Sequence, residues 1–254
     1  MSALVVGAIA FVCVFGAALV GMVLSKGLPD HHLSADSKDV IKVAMATIAT
    51  LAALVLGLLV SSAKNSFDSK ETEFRDSTVQ VILLDRTLAA YGAETKETRD
   101  LLRQLVVLRL KQVWPEAGAD TVVPSAIGKG AGIETVQRDI LNIPAKDDTQ
   151  HLLKAEALQA AGNIATARWL LFEEASSSLK WPFLAILVFW LAAIFMSFGL
   201  FAPRNASVLA SLFLSALSVA GSIYLILELD QPYGGLIKIS SVPLQMALEQ
   251  LGRQ

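Results

Sequence analysis

Two carboxylates, Glu228 and Asp230, follow directly after a long uncharged stretch of the chain. Acids at the end of an apolar segment suggest a charged ring at the mouth of a permeation pathway, a catalytic pair at a membrane surface, or a polar anchor where a helix reaches water. Pro232 and the Gly234-Gly235 pair come next and predict a turn. We favour the anchor, in which the acids hold the returning chain, and keep the charged ring as the sharper alternative.

The catalytic interpretation finds little support elsewhere in the sequence. No nucleophile elbow, HExxH or other hydrolase spacing is present, and "GKGAG" at 128–132 lacks the Lys-Ser/Thr end of a phosphate loop. His31 and His32 are weak metal candidates because no third and fourth ligands are spaced to close a site around them. A helix cap at Ser34 is the simpler interpretation of that segment. We expect no enzymatic activity, no bound metal and no cofactor.

Hydroxyl groups offer a second kind of chemistry. Five serines recur every three or four residues, a spacing that places them on one helix face. They are Ser207, Ser211, Ser215, Ser218 and Ser222. Such a stripe either follows a path for water or ions, or packs closely and hydrogen-bonds to another helix, and we favour packing.

The elements that must position these groups are membrane spans. The chain is 54% hydrophobic and only 17% charged, whereas soluble domains average about a quarter charged residues. Four uncharged stretches exceed the roughly 18 residues that a membrane-crossing helix needs. They are 1–25, 43–63, 181–202 and 206–227. The net charge of −2 provides no basic surface for nucleic acid. The sequence therefore predicts an all-α membrane protein with four transmembrane helices.

Residues 64–180 have the composition of a soluble insert between spans two and three. Apolar side chains at helical spacing form a seam that continues out of span two. The seam comprises Phe67, Phe74, Val81, Leu84, Leu88 and Tyr91. Further helices are predicted up to Trp114, over 133–142, and from 147 or 148 to about 178, with a loop at 115–132. We divide the chain into 1–63, the insert 64–180, a span hairpin 181–227 and a return segment 228–254.

Span two combines small and hydroxyl-bearing residues. Ala49, Ala53, Gly57 and Ser61 recur every four positions, and Thr47 and Thr50 lie near its start. Small residues let another backbone approach closely, whereas the threonines suit either a pore or a hydrogen bond one turn back in the same helix; we favour packing. No span carries an ionisable side chain at membrane depth, which argues against a charge-coupled carrier and for passive conduction.

Two blocks, "HLSADSKDVIKVAMATIATLAALVLGLLVSSAKNSFD" and "LELDQPYGGLIKISSVPLQMAL", resemble bacterial membrane proteins of the bestrophin-like domain family. By layout the chain is more distantly similar to bestrophins, which are pentameric ion channels with four spans, a helical cytosolic portion between spans two and three, and a pore lined by span two. Span two here contains no Phe, unlike the aromatic pore motif of bestrophins. The resemblance implies six pore-lining candidates: Thr47, Thr50, Leu54, Gly57, Leu58 and Ser61.

We therefore expect a homo-oligomeric, pentameric channel that conducts small inorganic ions passively across the bacterial inner membrane. Counting Lys and Arg near the spans leaves the orientation open, while the resemblance implies that the insert and both termini are cytoplasmic. The alternative is a non-conducting, membrane-anchored scaffold that acts through its insert. The expected partners are the lipid bilayer, other copies of the chain and small ions, and no nucleic acid.

Overall fold

The computed structural model describes residues 2–27, 35–114, 132–174 and 181–252. These residues form eight α-helices and contain no strand, which confirms the predicted all-α fold. In chain order the helices are α1 (Ala3–Leu24), α2 (Ala35–Tyr91), α3 (Lys96–Val113), α4 (Ile133–Asn142), α5 (Asp148–Glu174), α6 (Trp181–Phe201), α7 (Ala206–Leu229) and α8 (Val242–Gln250). A short 3-10 turn, Ala93–Thr95, joins α2 to α3.

The helices α1, α2, α6 and α7 are long and apolar enough to cross a membrane, which confirms the four predicted spans. α2 is a single helix of 57 residues, so the prediction that span two continues directly into the insert is correct. The bounds of α4 match the predicted helix at 133–142. The predicted loop at 115–132 and the last residues of the predicted fifth helix fall almost wholly outside the described residues.

The chain divides into two compact units. The membrane unit comprises Met1–Phe67 and Ser178–Ile237, and the insert unit comprises Asp68–Ser177 and Lys238–Gln254. Of the three boundaries along the chain, the first falls within α2, after Phe67, the second after Ser177, and the third after Ile237. The return segment is therefore shared: the chain up to Ile237 belongs to the membrane unit, and α8 belongs to the insert unit.

Close backbone contact between α1 and α6 organises the membrane unit. A Cβ atom on Gly21 would overlap the carbonyl oxygen of Met196, and one on Gly199 would overlap that of Ala18. Small residues are the usual means of bringing helices together in lipid, where apolar side chains gain little by leaving the lipid chains. The core around this contact is formed by Val6, Ala10, Val14, Ala18, Ala52, Leu184, Leu187, Leu191, Ile194, Phe195, Leu212, Ala216 and Ile223.

The turn between α6 and α7 is fixed to the end of α1. The Arg204 guanidinium donates to the Met22 carbonyl and, at 2.8 Å, to the Ser25 hydroxyl. Asn205 caps α7 by accepting a hydrogen bond from the Val208 N–H at 2.9 Å. The last turn of α1 and the α6–α7 turn therefore lie at the same end of the membrane unit.

The apolar seam of α2 is buried, as the sequence predicts. The ring of Phe74 lies 5.2 Å from that of Trp114, and the indole N–H of Trp114 donates to the Ile239 carbonyl at 3.0 Å. The Tyr91 hydroxyl donates to the Pro144 carbonyl at 2.9 Å. From Phe74 onward the seam thus contributes to the core of the insert unit, in which α8 packs against α3.

A buried ion pair, which the sequence analysis did not identify, joins three parts of the insert unit. Asp85 of α2 is 1% exposed and accepts hydrogen bonds from Arg99 of α3 at 2.8 and 3.1 Å. The Gly252 N–H donates to the same carboxylate at 3.3 Å. The hydrogen bond to Asp85 raises the pKa of Arg99 above its usual value. Each of the two charges stabilises the other, since an unpaired charge in the protein interior carries a large free-energy penalty.

Substitution of the glycines at the α1–α6 contact tests the packing of the membrane unit. We expect Gly21→Ala to destabilise the folded protein by about 1–3 kcal/mol, because the added methyl group overlaps a backbone carbonyl. Gly16→Ala in the same helix is the control, since no atom lies within 4 Å of the added methyl group. Thermal unfolding in mild detergent measures both, and equal midpoints for the two variants would contradict the close contact.

Removal of the guanidinium at Arg99 tests the buried pair. We expect Arg99→Ala to cost about 3 kcal/mol or more, because Asp85 is left buried without its counter-charge. Arg103→Ala is a matched control on the exposed side of α3 and should cost less than about 0.5 kcal/mol. Unfolding midpoints and the rate of proteolysis within α8 report the difference, and an unchanged midpoint for Arg99→Ala would show the pair to be dispensable.

Candidate functional site

The membrane-spanning part of α2 is far less covered than the other spans. Only 6% of its most apolar 18-residue stretch is buried, against 28–33% for α1, α6 and α7. One side of α2 packs against the core of the membrane unit through Met45, Ile48, Ala49, Ala52, Val55, Leu56 and Leu59. The opposite side is open. We call it the outward face of α2.

All six predicted pore-lining residues lie on this outward face and are exposed: Thr47, Thr50, Leu54, Gly57, Leu58 and Ser61. Their successive spacings of three, four, three, one and three residues keep them within about 100° of one another around the helix. A methyl group on Gly57 would meet no atom within 4 Å. The structure therefore gathers the six into one continuous surface of mixed polarity.

The threonine hydroxyls on this face are bonded within their own helix. Thr47 Oγ1 donates to the Val43 carbonyl at 3.2 Å, and Thr50 Oγ1 donates to the Ala46 carbonyl at 2.9 Å. These bonds satisfy the hydroxyl donors within the helix, so neither hydroxyl needs an external acceptor. The lone pairs of both oxygens remain directed away from those carbonyls.

The serine stripe of α7 lies beside, and not within, the packed core. Ser207, Ser211, Ser215 and Ser218 are exposed and Ser222 is half-buried. The Ser218 hydroxyl donates to the Leu214 carbonyl at 2.9 Å, and that of Ser222 donates to the Ser218 carbonyl at 3.1 Å. The buried positions of α7, such as Leu212, Ala216 and Ile223, belong to the neighbouring face.

A cleft of about 700 Å³ separates the first turns of α2 from the α6–α7 hairpin, and the sequence analysis did not predict it. It includes the first two serines of the stripe. Its lining residues are Lys42, Met45, Ala46, Ala49, Ser197, Phe198, Phe201, Ala202, Asn205, Ser207, Val208, Ser211 and Leu212. The cleft depends on where α2 lies relative to the hairpin. The sequence pattern of a single helix does not specify that arrangement.

Glu228 is buried, with only 5% of the residue exposed, although it lies in the last turn of α7. Its carboxylate accepts a hydrogen bond from the Leu236 N–H and is hydrogen-bonded to the Tyr224 hydroxyl. Gly235 has φ 81° and faces this carboxylate so closely that a Cβ atom would overlap it. The chain after α7 thus closes around the acid, and we call this turn the Glu228 anchor.

The other candidate acid, Asp230, lies two residues after Glu228. Asp230 is half-buried and follows α7 as its cap residue, with its N–H donating to the Ile226 carbonyl at 3.2 Å. His31 and His32 lie outside the described residues. Within the described ranges, no three His, Cys, Asp or Glu side chains are grouped to hold a metal ion.

Comparison with known protein families places most of the chain within one of them. A family model described as a Bestrophin-like domain matches residues 12–244. The match extends from α1 to α8 and includes the outward face of α2 and the Glu228 anchor. No curated protein and no solved structure matches the chain.

The two adjacent glycines allow a matched test of the Glu228 anchor. We expect Gly235→Ala to destabilise the membrane unit by about 1–3 kcal/mol, because it combines a positive φ with overlap of the carboxylate. Gly234→Ala should be nearly neutral, since no atom lies within 4 Å of its added methyl group. Thermal midpoints in detergent compare the two. Equal losses would mean that Glu228 does not hold this turn.

Proposed function

The chain belongs to the bestrophin-like domain family, and we propose that it forms a homo-oligomeric, pentameric ion channel of the bacterial inner membrane. Small inorganic ions pass passively along a central axis that is lined by the outward face of α2. The insert and both termini lie in the cytoplasm. The proposal assigns no enzymatic activity and no cofactor to the chain.

The outward face of α2 carries this proposal. This face combines two leucines with two threonines, a glycine and a serine, and selectivity in channels arises from polar groups that line a pore together with hydrophobic constrictions. Copies of the chain arranged in a ring would cover the flanks of α2 and leave this face around an axis. The bestrophin resemblance, in which span two lines the pore, supports the same placement.

The distribution of charge supports passive conduction. The candidate pore surface lies between Lys42 and Lys64, and no ionisable side chain interrupts the α2 sequence between them. Coupled carriers and proton pumps generally need such groups at membrane depth. Selectivity would then come from hydroxyl oxygens, backbone dipoles and apolar constrictions.

Planar-bilayer recording tests conduction directly. We expect the purified protein to give single-channel current steps, and silence across varied voltages, anions, monovalent cations and divalent cations would contradict the proposal. In a Cys13→Ala background, a small water-soluble thiol reagent should react with Leu58→Cys and reduce the current, because Leu58 lies on the outward face.

The matched control is Leu56→Cys, two positions away on the packed side of α2. Its thiol should react slowly or not at all, and the current should persist. Equal reaction at both positions, or reaction at Leu56→Cys alone, would show that the outward face of α2 does not line the conducting path.

The alternative is a non-conducting scaffold that acts through an exposed surface of its insert. The seam of α2 is buried, so it is not free to bind a partner. The exposed apolar side chains Val79 and Leu83 lie one turn apart on α2 and would form the docking surface of such a scaffold. Particle images of the purified assembly separate the two functions: a ring with α2 around an axial opening supports the channel, and a dimer joined through the insert supports the scaffold.

A further inference from the structure

We propose that the cleft between α2 and the α6–α7 hairpin holds one phospholipid of the surrounding bilayer. An acyl chain lies between the helices, and the phosphate group binds at Lys42. The inference goes beyond the proposed function, because it requires only that the helices cross a membrane and does not require conduction.

The walls of the cleft suit an acyl chain. Met45 of α2 faces Phe198 and Phe201 of α6 and Leu212 of α7, and the volume of about 700 Å³ lies within the range of small-molecule sites, about 300–1,000 Å³. Apart from Lys42, Asn205 and three serines, the lining residues are apolar and offer ordered water few partners. Within a bilayer, the acyl chains of the surrounding lipids are available to fill the cleft.

The mouth of the cleft suits a phosphate group. Lys42 lies in the first turns of α2, and Asn205 and Ser207 lie where α7 begins, so the polar lining residues are concentrated where the helices end. Hydrocarbon gives way to headgroups at this level of a membrane. The polar end and the apolar walls thus match the two parts of one phospholipid.

The charge at this end of the membrane unit complements an anionic headgroup. The described side chains here include Lys26, Lys42 and Arg204 against Asp39, and Arg204 is tied to the end of α1. Lys42 pairs with Asp39 at 3.3 Å, but both side chains are mostly exposed, and such pairs contribute little. A phosphate oxygen can therefore replace Asp39 as the partner of Lys42 without a large loss.

A bound lipid would support α2 on its inner side. Ala46 and Ala49 leave the space between α2 and the hairpin open, so the acyl chain would supply packing that these short side chains do not. The residues of α2 that line the cleft are not those of the outward face, although the two faces adjoin at Ala46, one turn before Thr50.

Native mass spectrometry of the full-length protein tests the site. The protein is reconstituted in vesicles of phosphatidylglycerol and phosphatidylethanolamine, then extracted in a mild detergent. We expect one phospholipid per protomer to remain bound. Lys42→Gln should lower the preference for phosphatidylglycerol about fivefold, the effect of one basic side chain near an anionic surface. Absence of bound lipid from the unmodified protein would overturn the proposal.

Two matched variants locate the acyl chain. Ala46→Phe fills the cleft and should remove the bound lipid, whereas Ala44→Phe places the same ring on an exposed position outside the lining and should keep it. Ser211→Leu, on the opposite wall, serves as a second filling variant if Ala46→Phe does not fold. Lipid retention by the filling variants equal to that of the unmodified protein would overturn the assignment.

A neighbouring subunit is the competing occupant. In a Cys13→Ala background, Ala46→Cys and Ser211→Cys introduce thiols on facing walls of the cleft. Disulfide-linked dimers formed from either variant in vesicles would show that another copy of the chain enters the cleft, and they would overturn the lipid proposal. Monomeric protein that loses its thiol reactivity only when phospholipid is present would support it.

Discussion

The close approach of α1 to α6 is the contact on which the membrane unit depends. Lipid chains are as apolar as the side chains they would replace, so the spans gain their stability from packing and from satisfied polar groups. Gly21 and Gly199 remove the side chains that would hold the two backbones apart. α7 then joins the same core, and the Arg204 bonds fix the hairpin to the end of α1.

This packing sets α2 apart from the other spans. α1, α6 and α7 share a core to which α2 contributes chiefly Ala52 as a fully buried residue. The polar and small residues of α2 are consequently left on an open side, and the short side chains on its inner side leave the cleft beside the hairpin. The outward face and the lipid cleft thus have one cause: α2 is less extensively packed than the other three spans.

Composition and periodicity were sufficient to predict the four spans, the all-helical insert, the continuity of α2 and its buried seam. Each of these features follows from the pattern of apolar and charged residues within one continuous stretch of the sequence. The Asp85–Arg99 pair, the cleft and the Gly21–Met196 contact were not predicted, because each depends on which helix becomes the neighbour of which. Glu228 is an intermediate case. The turn that follows it was predicted from Pro232 and the glycines, whereas the burial of Glu228 was not predicted.

The hydrogen bonds of Thr47 and Thr50 have a consequence for any species that moves along the outward face. A hydroxyl that donates its hydrogen to its own helix offers the surroundings only its oxygen lone pairs. While these bonds are made, each hydroxyl would act towards a passing ion as an ether oxygen does: it could contact a cation, and it would present no hydrogen to an anion. Recruiting an anion there would first require these two bonds to break.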